Sequence, residues 1–182
     1  MSFLTTLNLP QNIINEINRP LSLTEIKKKI PEINIIQYAN LNKFKNIDEV
    51  IGKNGGCIIL YMTGPTFGHW VLLMKRNKNT LEFFDAYGIT IDDELNFSNF
   101  HQGVQTPSLH YLTRMIINSE YTNVICSSTQ LQVQNNNIQT CGRWLIVRWM
   151  LKHMDIDSFI NLFLLMDWKI RDLFITLITI ND

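Results

Sequence analysis

The chain has 182 residues, of which 46% are apolar and 18% charged, and its formal net charge is zero. This length and apolar content suit one globular domain with its own core, so we expect a single domain over residues 1–182. The three cysteines form no even set and lack zinc-ligand spacing, which predicts a reducing, non-secreted setting and no metal site. Charged residues at 167–172 interrupt the apolar tail, so no membrane span is expected.

The first predicted element is a polar helical region over residues 1–35. Within it Ser22 or Thr24 can cap a helix, and Pro31 ends the run because proline cannot continue a helix. A short helix is predicted at 47–51. These elements carry no chemical motif, and the sequence predicts a structural role for them.

A β-hairpin is predicted after the glycine pair at 55–56. The apolar run at 57–62 is typical of a buried strand, and Cys57 within it is interpreted as a packing residue. Two further strands, at 69–76 and 81–87, flank a turn rich in asparagine and lysine. The chain therefore supplies adjacent antiparallel strands.

Counting residues outward from the turn of this hairpin predicts that two polar residues lie close together. If the turn centres near Asn77, His69 and Asp85 lie eight residues away on either side, nearly opposite each other on one sheet face. A slip of one residue would put them on opposite faces. The register therefore decides whether this pair exists.

The second half of the chain is predicted to contain a helix at 108–120, a strand at 124–134 and a helix that begins at Cys141. The tail at 158–180 is predicted to form one or two helices, or a helix and a strand. An asparagine-rich loop precedes the cysteine, which places the thiol where a helix starts.

A thiol at a helix start can become a nucleophile. A free cysteine is mostly protonated at neutral pH, and the positive end of a helix together with a nearby imidazolium lowers its pKa. Cys141 has the helix, His69 can supply the imidazolium, and Asp85 can orient that ring. The side chain of Gln134 and the backbone N–H of Cys141 can stabilise the anionic oxygen formed after attack.

Each of these residues has a plain structural interpretation when it is taken alone, and only their combination predicts a catalytic site.

Three other groups of residues are interpreted as structural. Arg143 and Arg148 are expected on a partly exposed helix face, with binding of an acidic substrate group as the alternative. The acidic run at 92–94 is expected to begin a helix, with cation binding as the alternative. The remaining histidines show no ligand spacing, namely His101, His110 and His153.

Three motifs resemble the adenovirus maturation protease (adenain) family: GHW at 68–70, FFDAYG at 83–88 and VQNNNIQTCG at 133–142. The fit is closest to the proteases of virophages and Maverick/polinton elements, as in mavirus, and is specific over residues 57–154. SUMO-specific proteases share the wider fold and the order of the catalytic residues.

This resemblance implies a triad of His69, Asp85 and Cys141, with Gln134 as the oxyanion glutamine. It also implies that Trp70 is the aromatic neighbour of the histidine, and we expect this residue to bind substrate. Adenain has glutamate where this chain has Asp85, which has a shorter reach and the same chemistry.

Other departures concern activation. Adenain is activated by a peptide through a disulfide, but Cys126 lies three residues beyond the position of the adenain cysteine. Adenain also uses DNA as a cofactor, whereas this chain has no excess positive charge. We therefore expect no required cofactor, and neither a DNA nor a peptide activator is supported by the sequence.

The sequence thus predicts an α+β fold with a central, mostly antiparallel sheet flanked by helices, and the catalytic cysteine at the N-terminus of a buried helix. The predicted function is a cysteine endopeptidase that processes viral capsid or precursor proteins during virion maturation. The alternatives are an isopeptidase that removes a ubiquitin-like modifier and an inactive binding module. We expect a monomer in the virion and in the infected-cell cytoplasm or virus factory, with viral DNA as a further candidate partner.

Overall fold

The computed structural model describes residues 8–96, 110–135 and 137–180. Its centre is a five-stranded sheet in the order β1-β2-β3-β4-β5. The strands are β1 (Asn34–Gln37), β2 (Gly56–Met62), β3 (Gly68–Asn77), β4 (Thr80–Phe84) and β5 (Asn123–Cys126). The helices in the described part of the chain are α1 (Gln11–Asn18), α2 (Leu23–Lys29), α3 (Ile47–Ile51), α4 (Tyr111–Ile117), α5 (Cys141–Met150), α6 (Ile156–Leu164) and α7 (Trp168–Ile180). Short 3₁₀ segments lie at Tyr38–Lys43 and Asp93–Asn96.

The predicted α+β class, with a sheet flanked by helices, is confirmed. The three central strands β2, β3 and β4 pair antiparallel and have the longer registers, while the short outer strands β1 and β5 pair parallel to their neighbours. Parallel neighbours need a crossover connection, and helices α3 and α4 lie in the connections that lead to β2 and β5. No helix in the described ranges is long and apolar enough to cross a bilayer.

Two hydrophobic cores lie on the two faces of the sheet, because successive side chains of a strand point to opposite faces. Along β3, Trp70 and Leu72 join the core that contains α5, whereas Val71 and Leu73 join the core that contains α4. Most residues of β2, all of β4 and residues 69–74 of β3 are therefore buried. The sheet is a rigid base for the side chains at its ends.

The hairpin of β3 and β4 differs in register from the prediction. Leu72 lies opposite Phe84, because the turn lies at 78–79, beyond the predicted centre at Asn77, and an irregularity between Lys75 and Asn77 takes back one residue of the resulting shift. Continued to the strand ends, this register puts Asp85 opposite Val71, two residues from the position opposite His69. An even shift keeps side chains on the same side of the hairpin, so the pair meets diagonally.

Other predicted elements agree with the structure to different degrees. The helix predicted at 47–51 is α3, and Ser22 caps α2 through a reciprocal pair of hydrogen bonds with Glu25. The helix predicted at 108–120 corresponds to α4, with residues 108–109 outside the described range. The strand predicted at 124–134 ends at Cys126, and strand β1 was not predicted. The tail forms the two helices α6 and α7.

The arginines of α5 correct the sequence interpretation, because both are buried rather than partly exposed. Arg148 makes two hydrogen bonds to the carboxylate of Glu82, at 2.7 and 2.8 Å. Arg143 pairs with Glu16 of α1 and donates to the hydroxyl of Thr179 at 3.1 Å. A buried guanidinium requires such partners, and here they come from distant parts of the chain. Neither arginine is placed to bind an acidic substrate group.

The acidic run at 92–94 also has a more specific role than a helix start. Asp92 is buried, and its carboxylate accepts hydrogen bonds from the Tyr61 hydroxyl at 3.2 Å and the Thr113 N–H at 2.9 Å. It therefore links β2 to α4, while the 3₁₀ segment begins at Asp93. The carboxylate of Asp92 is a structural connector.

Candidate active site

Cys141 is the first residue of α5, as predicted. The helix buries every residue from Cys141 to Trp149, and the thiol-bearing residue itself is 3% exposed. A β-carbon at the next position, Gly142, would lie 3.2–3.3 Å from Leu21 and Ile26. Glycine therefore lets the helix start pack closely beneath the N-terminal segment, with the positive end of its dipole at the sulfur.

His69 joins the other two predicted triad residues. Its Nε2 lies 3.1 Å from Oδ1 of Asp85, and the His69 ring is also hydrogen-bonded to the thiol of Cys141. Because Asp85 occupies Nε2, the nitrogen left for sulfur is Nδ1. His69 is 6% exposed and Asp85 is fully buried, so the triad is largely shielded from water.

The surroundings favour the charged form of His69. Burial by itself lowers the pKa of this imidazole, but the charge and hydrogen bond of Asp85 and the neighbouring Cys141 together raise the pKa of His69 well above its ordinary value. The charged form of the imidazole is thus favoured beside the thiol, which is the arrangement that a thiol nucleophile requires.

Tyr87 is a site residue that the sequence interpretation did not assign a role. Its ring stacks on the His69 ring with centroids 4.8 Å apart, and its backbone N–H donates to Oδ1 of Asp85 at 2.6 Å. Its hydroxyl accepts a hydrogen bond from Nε2 of the buried Gln132 at 2.9 Å, and the same Nε2 donates to the carbonyl of Ile138 at 3.2 Å. The available signal was an aromatic residue two positions after the aspartate.

This stacking leads to a prediction for Tyr87. We expect Tyr87→Leu to lower kcat by about 10-fold, because the imidazole of His69 loses the stacked ring that keeps it in its catalytic orientation. Tyr87→Phe keeps the ring and loses only the hydroxyl, and should stay within about 3-fold of the wild type. Steady-state kinetics across pH measure both variants. An equal loss in the two variants would show that the Gln132 hydrogen bond, and not the stack, matters.

Gln134 lies in the segment between β5 and α5, and its side chain is exposed. The segment is held on both sides of this residue, since the Val133 N–H donates to Asp172 at 2.8 Å and the Gln139 N–H donates to the carbonyl of Ile17 at 2.8 Å. An exposed amide can meet substrate from such a segment. Its oxyanion role stays a prediction.

Trp70 packs inside the core. It is 5% exposed, and its indole N–H donates to the carbonyl of Leu21 at 3.1 Å. These contacts place it beneath the start of α5, where it supports the nucleophile. Its predicted contact with substrate stays a prediction.

The other cysteines and the other described histidines are not among the triad contacts. Cys57 is buried in β2, and burial raises its pKa, as it also raises the pKa of Cys126. Within the described part of the chain, no three His, Cys, Asp or Glu side chains are arranged to hold a metal ion. His110 lies 3.9 Å from Asp92, and His101 lies outside the described residues.

The chain is 35% identical over 126 residues to V9, an uncharacterized protein of the Sputnik virophage, and the match spans 69% of this chain and 71% of V9. The chain belongs to the V9 family. No protein-family model matches this V9-family chain, so its resemblance to adenain stays a resemblance.

Among solved structures, the V9-family chain is similar to the crystal structure of the ASFV pS273R protease, with 12% sequence identity and a TM-score of 0.47. That similarity covers 93% of this chain and 76% of the protease. The structural similarity is weak, and the chemical interpretation of the site depends on the contacts of His69, Asp85 and Cys141.

Proposed function

We propose that this V9-family chain is a cysteine endopeptidase with His69, Asp85 and Cys141 as its catalytic triad. One observation carries the proposal: a single imidazole is hydrogen-bonded both to a buried carboxylate and to a thiol at the start of a buried helix. This arrangement favours a thiolate and imidazolium pair, which is the reactive state of a thiol nucleophile.

The reaction follows from these groups. The Cys141 thiolate attacks the substrate carbonyl, and the resulting oxyanion accepts hydrogen bonds from the Cys141 backbone N–H and the Gln134 amide. His69 then donates its proton to the departing amine, which leaves a thioester. The neutral His69 removes a proton from water, hydroxide attacks the thioester, and the carboxylic acid product departs as the thiol is restored. Asp85 keeps the ring oriented throughout.

The burial of the site supports a substrate preference. Cys141 is 3% exposed and His69 is 6% exposed, so a scissile bond must approach side chains that are almost completely covered. A substrate with glycine at this bond presents only backbone and avoids a collision with the surrounding walls. We therefore propose cleavage after glycine or near small residues in viral capsid or precursor proteins, as the resemblance to adenain also suggests.

The proposed biological setting is virion maturation. Relationship to a virophage protein supports a viral substrate, and the resemblance to adenain supports a role in the virion and the virus factory. A monomer is proposed as the active form, with no required cofactor, and binding of viral DNA is proposed only as a secondary interaction. Neutral net charge argues against strong nonspecific affinity for DNA.

Co-expression with each candidate capsid precursor tests the proposal. New protein termini should appear with the wild type and be absent with Cys141→Ala, and mass spectrometry should place them after glycine or near small residues. The same test is made with a second class of substrate, proteins that carry a ubiquitin-like modifier through an isopeptide bond. Cleavage of the conjugates alone would identify the isopeptidase alternative, and no Cys141-dependent cleavage in either arm would favour an inactive binding module.

A variant of Gln134 tests the oxyanion assignment. We expect Gln134→Ala to lower kcat by about 10²-fold with KM little changed, because the donor acts on charge that exists only in the transition state. Asn137→Ala is the matched control, since this exposed amide lies on the same segment. An unchanged kcat for Gln134→Ala would remove its oxyanion role.

A further inference from the structure

The carboxylate of Asp172 in α7 joins three groups around the candidate active site. Asp172 is 2% exposed. Its Oδ1 accepts hydrogen bonds from the Thr140 hydroxyl and from the Trp144 indole N–H, the latter at 2.8 Å, and its Oδ2 accepts from the Val133 N–H at 2.8 Å. Both oxygens are therefore occupied by donors from outside its own helix.

These donors belong to the two segments that carry the proposed chemistry. Thr140 immediately precedes the nucleophile Cys141, and Trp144 lies one turn further along the same helix. Val133 immediately precedes Gln134, which is the proposed oxyanion donor. A single carboxylate from a third element thus connects the nucleophile with the oxyanion segment.

The hydrogen bonds also affect the start of α5. Thr140 occupies the N-cap position, but its side chain makes no cap hydrogen bond, and its hydroxyl donates to Asp172. A threonine cap would otherwise accept from an N–H of the first turn. The first-turn N–H groups are left without a side-chain cap, so their positive partial charge stays directed at the site.

We propose that Asp172 is a positioning residue that holds Gln134 and Cys141 at the separation needed to form the oxyanion hole. The inference rests on the proposed function and extends it to α7. The two segments cannot separate without leaving a buried carboxylate short of donors, which is costly. Asp172 itself touches no reacting atom and acts through Gln134 and the helix start.

A double-mutant cycle between Asp172→Asn and Gln134→Ala tests this role. Asparagine keeps one oxygen for Thr140 and Trp144 but presents N–H groups where the Val133 N–H needs an acceptor. We expect Asp172→Asn to lower kcat by about 10-fold with KM little changed, because the oxyanion donor is misplaced. In the Gln134→Ala background the same change should cost less than about 2-fold, because the donor is already absent.

Iodoacetamide supplies a readout that a general structural defect would change. Alkylation of Cys141 needs the thiolate and forms no oxyanion, so its rate in Asp172→Asn should stay within about 2-fold of the wild type. Asp157→Asn, an exposed carboxylate of the neighbouring helix α6, is the matched control. Thr140→Val removes one donor alone and repeats the cycle if Asp172→Asn does not fold.

The kinetic substrate is a fluorogenic peptide that carries the cleavage site mapped by co-expression. Equal losses in both backgrounds, or a parallel fall in the alkylation rate, would overturn the positioning role of Asp172. A wild-type protein that cleaves no substrate would instead contradict the proposed function itself. The two failures are therefore distinguishable.

Discussion

Cys141→Ala should abolish turnover while the domain stays folded. The sulfur is the proposed nucleophile, and its removal should lower kcat by more than about 10⁴-fold. Alanine is the most favourable helix residue and replaces a side chain at the first position of α5, so the change in the free energy of unfolding should be about 1 kcal/mol or less. Cleavage assays and thermal unfolding of the same preparation measure both effects.

Cys126→Ala is the matched control for this variant. Cys126 ends β5, is partly buried and lies outside the triad contacts, so its replacement should leave turnover close to that of the wild type. Because burial raises the pKa of Cys57 and of Cys126, iodoacetamide near neutral pH should label Cys141 first. Full proteolysis by Cys141→Ala would exclude the assignment.

Asp85→Asn should cause the second-largest loss, roughly 10³- to 10⁴-fold in kcat. Asparagine is nearly isosteric and can still accept from the Tyr87 N–H, but it carries no charge to stabilise the imidazolium of His69. A neutral amide also permits the opposite orientation of the ring. Weak activity should remain because Cys141, the helix start and Gln134 are unchanged.

The pH dependence of this variant follows from the cause of the His69 shift. Asp85 raises the pKa of His69 against the opposing effect of burial, so without the carboxylate the pKa of His69 should fall from its raised value, with only Cys141 left to favour the charged ring. The charged form of His69 should therefore be less populated in Asp85→Asn than in the wild type. Alkylation of Cys141 by iodoacetamide should slow by about 10-fold in the variant.

Stability should respond to pH with a definite sign. The folded pKa of His69 lies above its unfolded value, so its stabilising contribution is full below about pH 6.5 and is lost as pH rises through the raised folded pKa. Thermal unfolding from about pH 6 to pH 9 should show this loss in the wild type and a smaller loss in Asp85→Asn. Asp93→Asn, an exposed neighbour on the same segment, is the control. A parallel pH profile for wild type and Asp85→Asn would contradict the coupling.

The contact between His69 and Asp85 could be predicted because a hairpin is a local structure. The strands and the turn are read from neighbouring residues, and the pairing follows from counting outward from the turn. The count was wrong because the turn lies beyond Asn77, and the irregularity between Lys75 and Asn77 reduced the shift from three residues to two. An even error preserves the side of the hairpin, so the pair was predicted correctly from an incorrect register.

The environment of α5 could not be predicted in the same way. Arg143 and Arg148 are polar residues in an apolar run, which usually marks an exposed stripe. In the fold, Glu16 and Glu82 reach them from 127 and 66 residues away and make burial tolerable. Only the packing of α5 between the sheet and the terminal helices reveals those partners.

The identity and order of the chemical groups, the helix start at Cys141 and the hairpin that supplies His69 and Asp85 were determined by the sequence alone, because each depends on residues close together in the chain. The tertiary structure decided how those groups are supported: the stack of Tyr87 on His69, the buried partners of the two arginines and the hydrogen bonds of Asp172. These depend on long-range packing, since a buried polar group is stable only where distant elements bring matching donors and acceptors to it.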